Sequence, residues 1–229
     1  MSRLTKILIA GAVVLVLAVV GGGYAVWKLF LETSAKPPAR ITKTTVVGGG
    51  SIDGTYTVAP GDPQSFVGYR VQEQLVGGAI EQTATGRTSD MSGSFTITGT
   101  TVHDVNVTAD LRTLTSDRSQ RDNAIKDRGL ESNRFPQATF TLSQPITFRS
   151  VPKAGETVKA TAMGDFTLHG VTREVAIPVQ GRWDGRDIQV VGSLHIVFAD
   201  YGIQAPTSPV VVSIRDEGDM EFQIFFRKT

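Results

Sequence analysis

The chain has no cysteine among its 229 residues. That removes disulfides, thiolate nucleophiles and zinc–thiolate sites together. It has only three histidines, and no pair of them shows HxH or HExxH spacing. His169 falls in a Gly-flanked turn, His195 opposes an apolar series, and His103 stands beside Asp104 at a strand start. No G-x-S-x-G elbow occurs, and Gly48–Gly50 lacks the lysine and helix of a phosphate loop. A formal net charge of +1 lacks the basic excess of a nucleic-acid binder. These gaps exclude most metal and nucleophile chemistry, and we expect neither an enzyme nor a cofactor.

One feature stands out against this sparse background. Ile7 to Trp27 carries no ionisable group except Tyr24. As an α-helix it is close to the ~30 Å apolar thickness of a bilayer. Arg3 and Lys6 precede it, which places the N-terminus in the cytoplasm. Tyr24, Trp27 and Phe30 suit an aromatic belt at the far interface. The expected organisation is a cytoplasmic tail (1–6), a single-pass transmembrane helix (7–30), a flexible linker (31–50) and an extracytoplasmic domain (51–229). A cleaved signal ending at Thr33-Ser34-Ala35 is the alternative, and it exports the same domain. Lys36-Pro37-Pro38 and the triple glycine after Val47 motivate the linker.

Beyond Ser51 the dominant period is two. Val105, Val107, Ala109 and Leu111 form one apolar series; Val158 to Leu168, Val175 to Trp183 and Ile188 to Phe198 form three more. Val210–Ile214 and Phe222–Phe226 supply the last strand or two. Such alternation puts one strand face on an apolar interior. His169-Gly170 and Asp184-Gly185 punctuate the runs as hairpin loops. The expected fold is all-β, an antiparallel meander closing into a barrel or folding as a sandwich. Ser116 to Leu130 breaks the pattern and reads as a short helical segment capped at Ser116-Asp117.

Several segments resemble the YceI-like family, also described as polyisoprenoid-binding and lipocalin-like. They are Ile52–Tyr56, Ser65–Val71, Val105–Leu111 followed by Arg121-Asp122, Phe135–Phe140, Gly164–Thr172 and Phe198–Ile203. The Gly164–Thr172 hairpin is the most specific. The resemblance implies an eight-stranded antiparallel lipocalin-like barrel around a long cavity for a polyisoprenoid or other long-chain lipid, exported and without catalytic residues. The family's usual histidines are missing here: Gln64-Ser65 and Gln72-Glu73-Gln74 stand at the first place, and the second motif reads Arg121-Asp122-Asn123-Ala124-Ile125.

The residues themselves also argue for a hollow interior. If Trp183 pairs with Ile188, Gly181 falls opposite Val190 and Gly192 opposite Val179. The candidate cavity lining is then Ala160, Ala162, Gly164, Phe166, Val179, Gly181, Trp183, Val190, Gly192, Leu194 and Ile196. Small residues at such positions open space in a barrel near the size limit for holding a ligand. The competing account is that strand glycines serve only the bends of a barrel. Arg118 and Arg121, in a cluster running from Arg112 to Arg134, are candidate head-group ligands. Pairing with Asp117, Asp122, Asp127 and Glu131 is the alternative, and Arg121-Asp122 resembles a pin holding the helix to the barrel rim. The partners expected are a long-chain isoprenoid or fatty lipid and the membrane, without nucleic acid. A solid barrel acting as an extracytoplasmic protein-interaction module is the alternative function.

Overall fold

The computed structural model describes residues 17–24, 35–42, 45–48, 50–75, 80–206 and 211–229. Within them the chain forms eleven strands: β1 (Gly54–Val58), β2 (Phe66–Leu75), β3 (Ile80–Thr88), β4 (Met91–Thr98), β5 (Thr101–Asp110), β6 (Gln137–Leu142), β7 (Ile146–Thr147), β8 (Thr157–Leu168), β9 (Val171–Trp183), β10 (Asp187–Val197) and β11 (Val211–Lys228). All pairings are antiparallel. The path β1-β4-β5-β6-β8-β9-β10-β11 returns to β1 and closes an eight-stranded barrel.

Val211–Ile214 and Phe222–Phe226, from the last two apolar series, belong to one strand of 18 residues. Its end pairs with β1, Val58 opposite Phe226, while Gln223 and the residues before it pair with β2. The exchange occurs at Phe225, whose carbonyl accepts from the Ala59 N–H and whose N–H donates to Ser65 Oγ. β2 and β3 form a hairpin that extends the wall upward. Its free edge is pinned where Arg87 and Thr115 exchange backbone hydrogen bonds of 2.8 and 3.0 Å.

The register read from alternation is the one observed: Trp183 faces Ile188, Gly181 faces Val190 and Val179 faces Gly192. The β8–β9 connection is a two-residue turn in which His169 and Gly170 both have positive φ, 52° and 75°. That geometry matches the right-handed twist of the flanking strands. β5 holds an irregularity the alternation does not disclose. Asp104 at φ 55° makes a bulge, so Val102 and Val105 both turn inward across an odd spacing.

Two packed cores divide the interior. The lower one contains Ile52, Tyr56, Phe95, Ile97, Trp183, Ile188, Ile224 and Phe226. The upper one contains Leu111, Leu114, Phe166, Leu168, Ile196, Tyr201 and Ile203. The helical segment lies at the upper end but starts later than expected, at Ser119–Ala124, continuing into a wider turn at Ile125–Gly129. Ser116 does not cap it. Its hydroxyl accepts from the Arg118 N–H at 3.1 Å, and its own N–H donates to Asp122 Oδ1 at 2.8 Å. Arg118 is thereby held extended, and the helix begins after it.

Most of the expected transmembrane helix over 7–30 lies outside the described residues. Residues 17–24 are helical and exposed, and among the described residues no helix is long and apolar enough to cross a membrane. In the stretch expected as a linker, residues 35–42 and 45–48 lie against the barrel, hydrogen-bonded to β2, β3, β10, β11 and the Asp184 turn.

Candidate functional site

The inward parity of the ring strands leaves two spaces. The lower cavity, about 180 Å³, is walled almost entirely by carbon: Ile97, Val105, Val107, Phe140, Val158, Val179, Phe222 and Ile224 among others. Glu156 is the exposed residue of its lining and marks where it reaches the surface, beside Phe148 and Pro152. The upper cavity, about 130 Å³, lies between Tyr69, Val71, Leu114, Phe198 and the turn around Ile125–Leu130. Its lining residues are buried or half-buried, and Arg121, Ile125, Gly129 and Leu130 of the helical segment form one side of it. Val67, Ala138, Phe166 and Met220 line both spaces, which therefore lie next to one another inside the barrel.

Of the residues read from sequence as lining, Ala160, Ala162, Phe166, Val179, Gly181, Trp183 and Val190 border the lower cavity, and Phe166 and Ile196 the upper. A side chain at Gly181 would meet only Val158, at 3.6 Å, so the glycine leaves room. Gly192 does not. The Phe222 ring occupies its side-chain space, 2.5 Å from where a Cβ would stand, with the Pro178 carbonyl at 3.0 Å. Gly164 is likewise covered by the Phe140 ring. These two glycines therefore seat aromatic rings, and it is the rings of Phe140 and Phe222 that face the cavity. Leu194 packs on the upper core and lines neither space.

The polar end of the interior is also reassigned. Arg121 borders the upper cavity, but its guanidinium grips Glu73 through Nε–Oε1 and Nη2–Oε2, each 2.8 Å, and also pairs with Asp117. Burial would lower its pKa, yet the bonds from Glu73 and the charges of Glu73 and Asp117 hold it above the ordinary arginine value. Arg121 pins the helix to the barrel through Glu73 of β2, not through Asp122, and pairs with Asp117 of its own segment. Arg118 lies 3.9 Å from Asp117 and lines neither cavity.

Glu73 is the residue that sequence reasoning passed over. Its signal was parity: Val67, Tyr69, Val71 and Glu73 share one face of β2, so the carboxylate must enter the interior. Nearby, the Tyr69 hydroxyl is buried with no hydrogen-bond partner among the described residues, and burial raises its pKa. The three histidines stay in local contacts. His169 bonds the Tyr201 carbonyl at 2.9 Å and Glu131 at 3.1 Å, His103 meets Asp104, and His195 meets Glu217 and Asp219. Among the described residues no group of three potential metal ligands converges.

Comparison with known proteins agrees with this geometry. A UPF0312 protein of Vibrio vulnificus (strain YJ016) is 32% identical over 127 residues, covering 52% of this chain and 64% of the relative's length. Protein YceI of Shigella flexneri is 26% identical over 170 residues, 70% of this chain and 82% of the relative. Two solved structures share the fold. A polyisoprenoid binding domain from Saccharophagus degradans aligns with a TM-score of 0.57 at 17% identity, over 77% of this chain and 99% of that one. BcnA of Burkholderia cenocepacia aligns with a TM-score of 0.53 at 18% identity, over 70% and 95%. The model of the YceI-like domain matches residues 56–226, the barrel from its first strand nearly to its last, and the chain belongs to that family.

Proposed function

We propose that this protein is an exported barrel, tethered to the membrane by its N-terminal apolar run, that holds one long apolar chain in its interior. The ligand class is a polyisoprenoid or another long-chain lipid. The observation that carries the reading is the hollow interior: two adjacent carbon-walled spaces that share Val67, Ala138, Phe166 and Met220, with the exposed Glu156 in the lining of the lower one. A lipid tail gains about 0.8 kcal/mol for each CH₂ it buries, so such walls suffice for tight binding. The similar structure from Saccharophagus degradans is itself described as a polyisoprenoid binding domain, which supports the ligand class.

Native mass spectrometry of the full chain, followed by organic extraction, tests the proposal. The expected result is one prenyl or fatty chain per barrel, retained after delipidated carrier is added in excess. A protein that is empty and takes up neither polyprenol nor fatty acid would sink it.

A further inference from the structure

Parity places Gln189 and Val191 of β10, Glu221 of β11 and Thr85 of β3 on the outer face of the barrel. Outer-face residues belong in water, yet these are only 3%, 5%, 3% and 3% exposed. Farther along the same face of β10, Ser193 and His195 are exposed. What covers the first group is the segment 36–42.

The cover matches its floor atom by atom. Pro37 and Pro38 have no N–H, and here the floor offers donors: Arg70 to the Lys36 carbonyl at 2.7 Å, and Arg87 to the Pro37 carbonyl. Where the segment regains N–H groups the floor offers acceptors. Ala39 donates to Glu221 Oε2 at 3.3 Å, Arg40 to Gln223 Oε1 at 3.3 Å and Thr42 to Gln189 Oε1 at 2.8 Å. Gln189 Nε2 in turn donates to the Arg40 carbonyl at 3.0 Å. Gly68 lies between Glu221 and Arg87 in the register, and a side chain there would strike Arg87, so the glycine keeps open the 2.8 Å Arg87–Glu221 pair.

Residues 46 and 47 stand beside the loop at the cavity mouth. Val47 N–H donates to the Asp184 carbonyl at 2.7 Å, and a Val46 methyl fills the space a side chain on Gly155 would take. Gly155 belongs to the loop that carries Pro152 and Glu156, which line the mouth. We infer that the outer face of β2, β3, β10 and β11 is a recognition groove for an extended proline-bearing segment, occupied in cis by residues 36–42, and that this docking latches the mouth of the lower cavity. The groove stands on the geometry alone; the latch rests on the lipid-binding reading proposed above. A ligand entering or leaving past Glu156 passes the loop that Val46, four residues beyond Thr42, touches at Gly155. The stretch with a linker's composition is therefore a strap that controls exchange.

Amide hydrogen exchange on the full chain, with release of bound cis-parinaric acid followed by fluorescence, tests both halves. In the wild type the amides of Lys36, Ala39, Arg40, Thr42 and Val47 exchange on the order of 100-fold more slowly than in an unstructured peptide. Gln189→Ala and Arg87→Ala, made separately, lose that protection while β8 and β9 keep theirs, and cis-parinaric acid leaves about 5-fold faster or more. Exchange of 36–47 at the unstructured rate in the wild type overturns the groove. Lost protection with an unchanged release rate in both variants overturns the latch. A chain that takes up no cis-parinaric acid and no polyprenol overturns the lipid reading and the latch together, and the exchange data still decide the groove.

Discussion

Arg121 reaches from the helical segment into the barrel and closes a two-pronged ion pair on Glu73, whose side chain is 1% exposed. This pair joins the helical segment to the barrel wall beside the upper cavity. Removing one partner strands the other charge in a desolvated site, so Arg121→Ala is expected to cost about 3–5 kcal/mol in urea denaturation. Replacing both residues together, Glu73→Leu with Arg121→Met, should recover most of that loss, because a well-packed apolar pair is often as stable as a buried ion pair. A double variant no more stable than Arg121→Ala would show that the segment is held by something other than this pair.

Gly181 and Gly192 look equivalent in sequence and differ in space. Gly181 faces open volume, with Val158 alone at 3.6 Å, whereas the Phe222 ring fills the site of Gly192. Gly181→Leu should fold with stability near the wild type and lose lipid affinity by about tenfold or more, since it fills the cavity that a tail would occupy. Gly192→Ala should instead cost about 1–3 kcal/mol by overpacking against Phe222. Thermal melts and lipid-binding titrations on the two variants separate these outcomes. The opposite pattern, with Gly192→Ala neutral and Gly181→Leu unfolded, would exchange the two assignments.

Those two glycines also mark how far the sequence could be read. The ring strands β8, β9 and β10 were legible because every second residue of Val158–Leu168, Val175–Trp183 and Ile188–Phe198 is apolar or glycine and Asp184-Gly185 sets the turn between the last two. β3 was not, because its inward positions are Gln82, Ala84, Gly86 and Thr88, small or polar residues lying beside Glu73, Val71, Tyr69 and Val67. Periodicity could place Gly164 and Gly192 on the inner face, but it could not see that Phe140 and Phe222 lean across them. Composition alone does not disclose that residues 36–42 and Val47 hydrogen-bond to the barrel, and the reason is physical. Proline and glycine weaken a segment's own structure without preventing another surface from supplying its hydrogen bonds.

Tyr56 is fully buried and donates to the Ile52 carbonyl at 2.8 Å. Burial, with smaller contributions from the Asp53 and Asp187 charges, pushes its pKa up to about 12. Burial raises Tyr69 and Tyr201 as well. Each folded-state value lies above the unfolded value of about 10, so this stability is complete below pH ~10 and falls as the pH rises through the folded-state values. Urea midpoints measured from pH 8 to 12 should therefore decline above pH 10. Tyr56→Phe should remove about 0.5–1.5 kcal/mol at pH 8 by deleting the hydrogen bond, and it should make the alkaline decline shallower. A decline of unchanged steepness would show that Tyr56 does not resist ionisation in the folded protein.

Asp104 resets the phase of β5. At φ 55° it lies in the left-handed region, and the bulge it forms lets Val102 and Val105 both enter the lower cavity. Holding a non-glycine residue there costs on the order of 1 kcal/mol, and a β-branched side chain makes it worse. Its carboxylate bonds His103 Nδ1 at 2.8 Å, but the aspartate side chain is 78% exposed and the pair contributes little. Asp104→Gly is therefore expected to leave the midpoint unchanged or raise stability by up to about 1 kcal/mol, while Asp104→Val lowers it by about 1–2 kcal/mol. Ring-current-shifted methyl resonances of Val102 and Val105 report whether both still face the interior. If Asp104→Val matched the glycine variant in stability with those resonances unmoved, the bulge would not depend on the left-handed residue, and the two valines would owe their placement to packing alone.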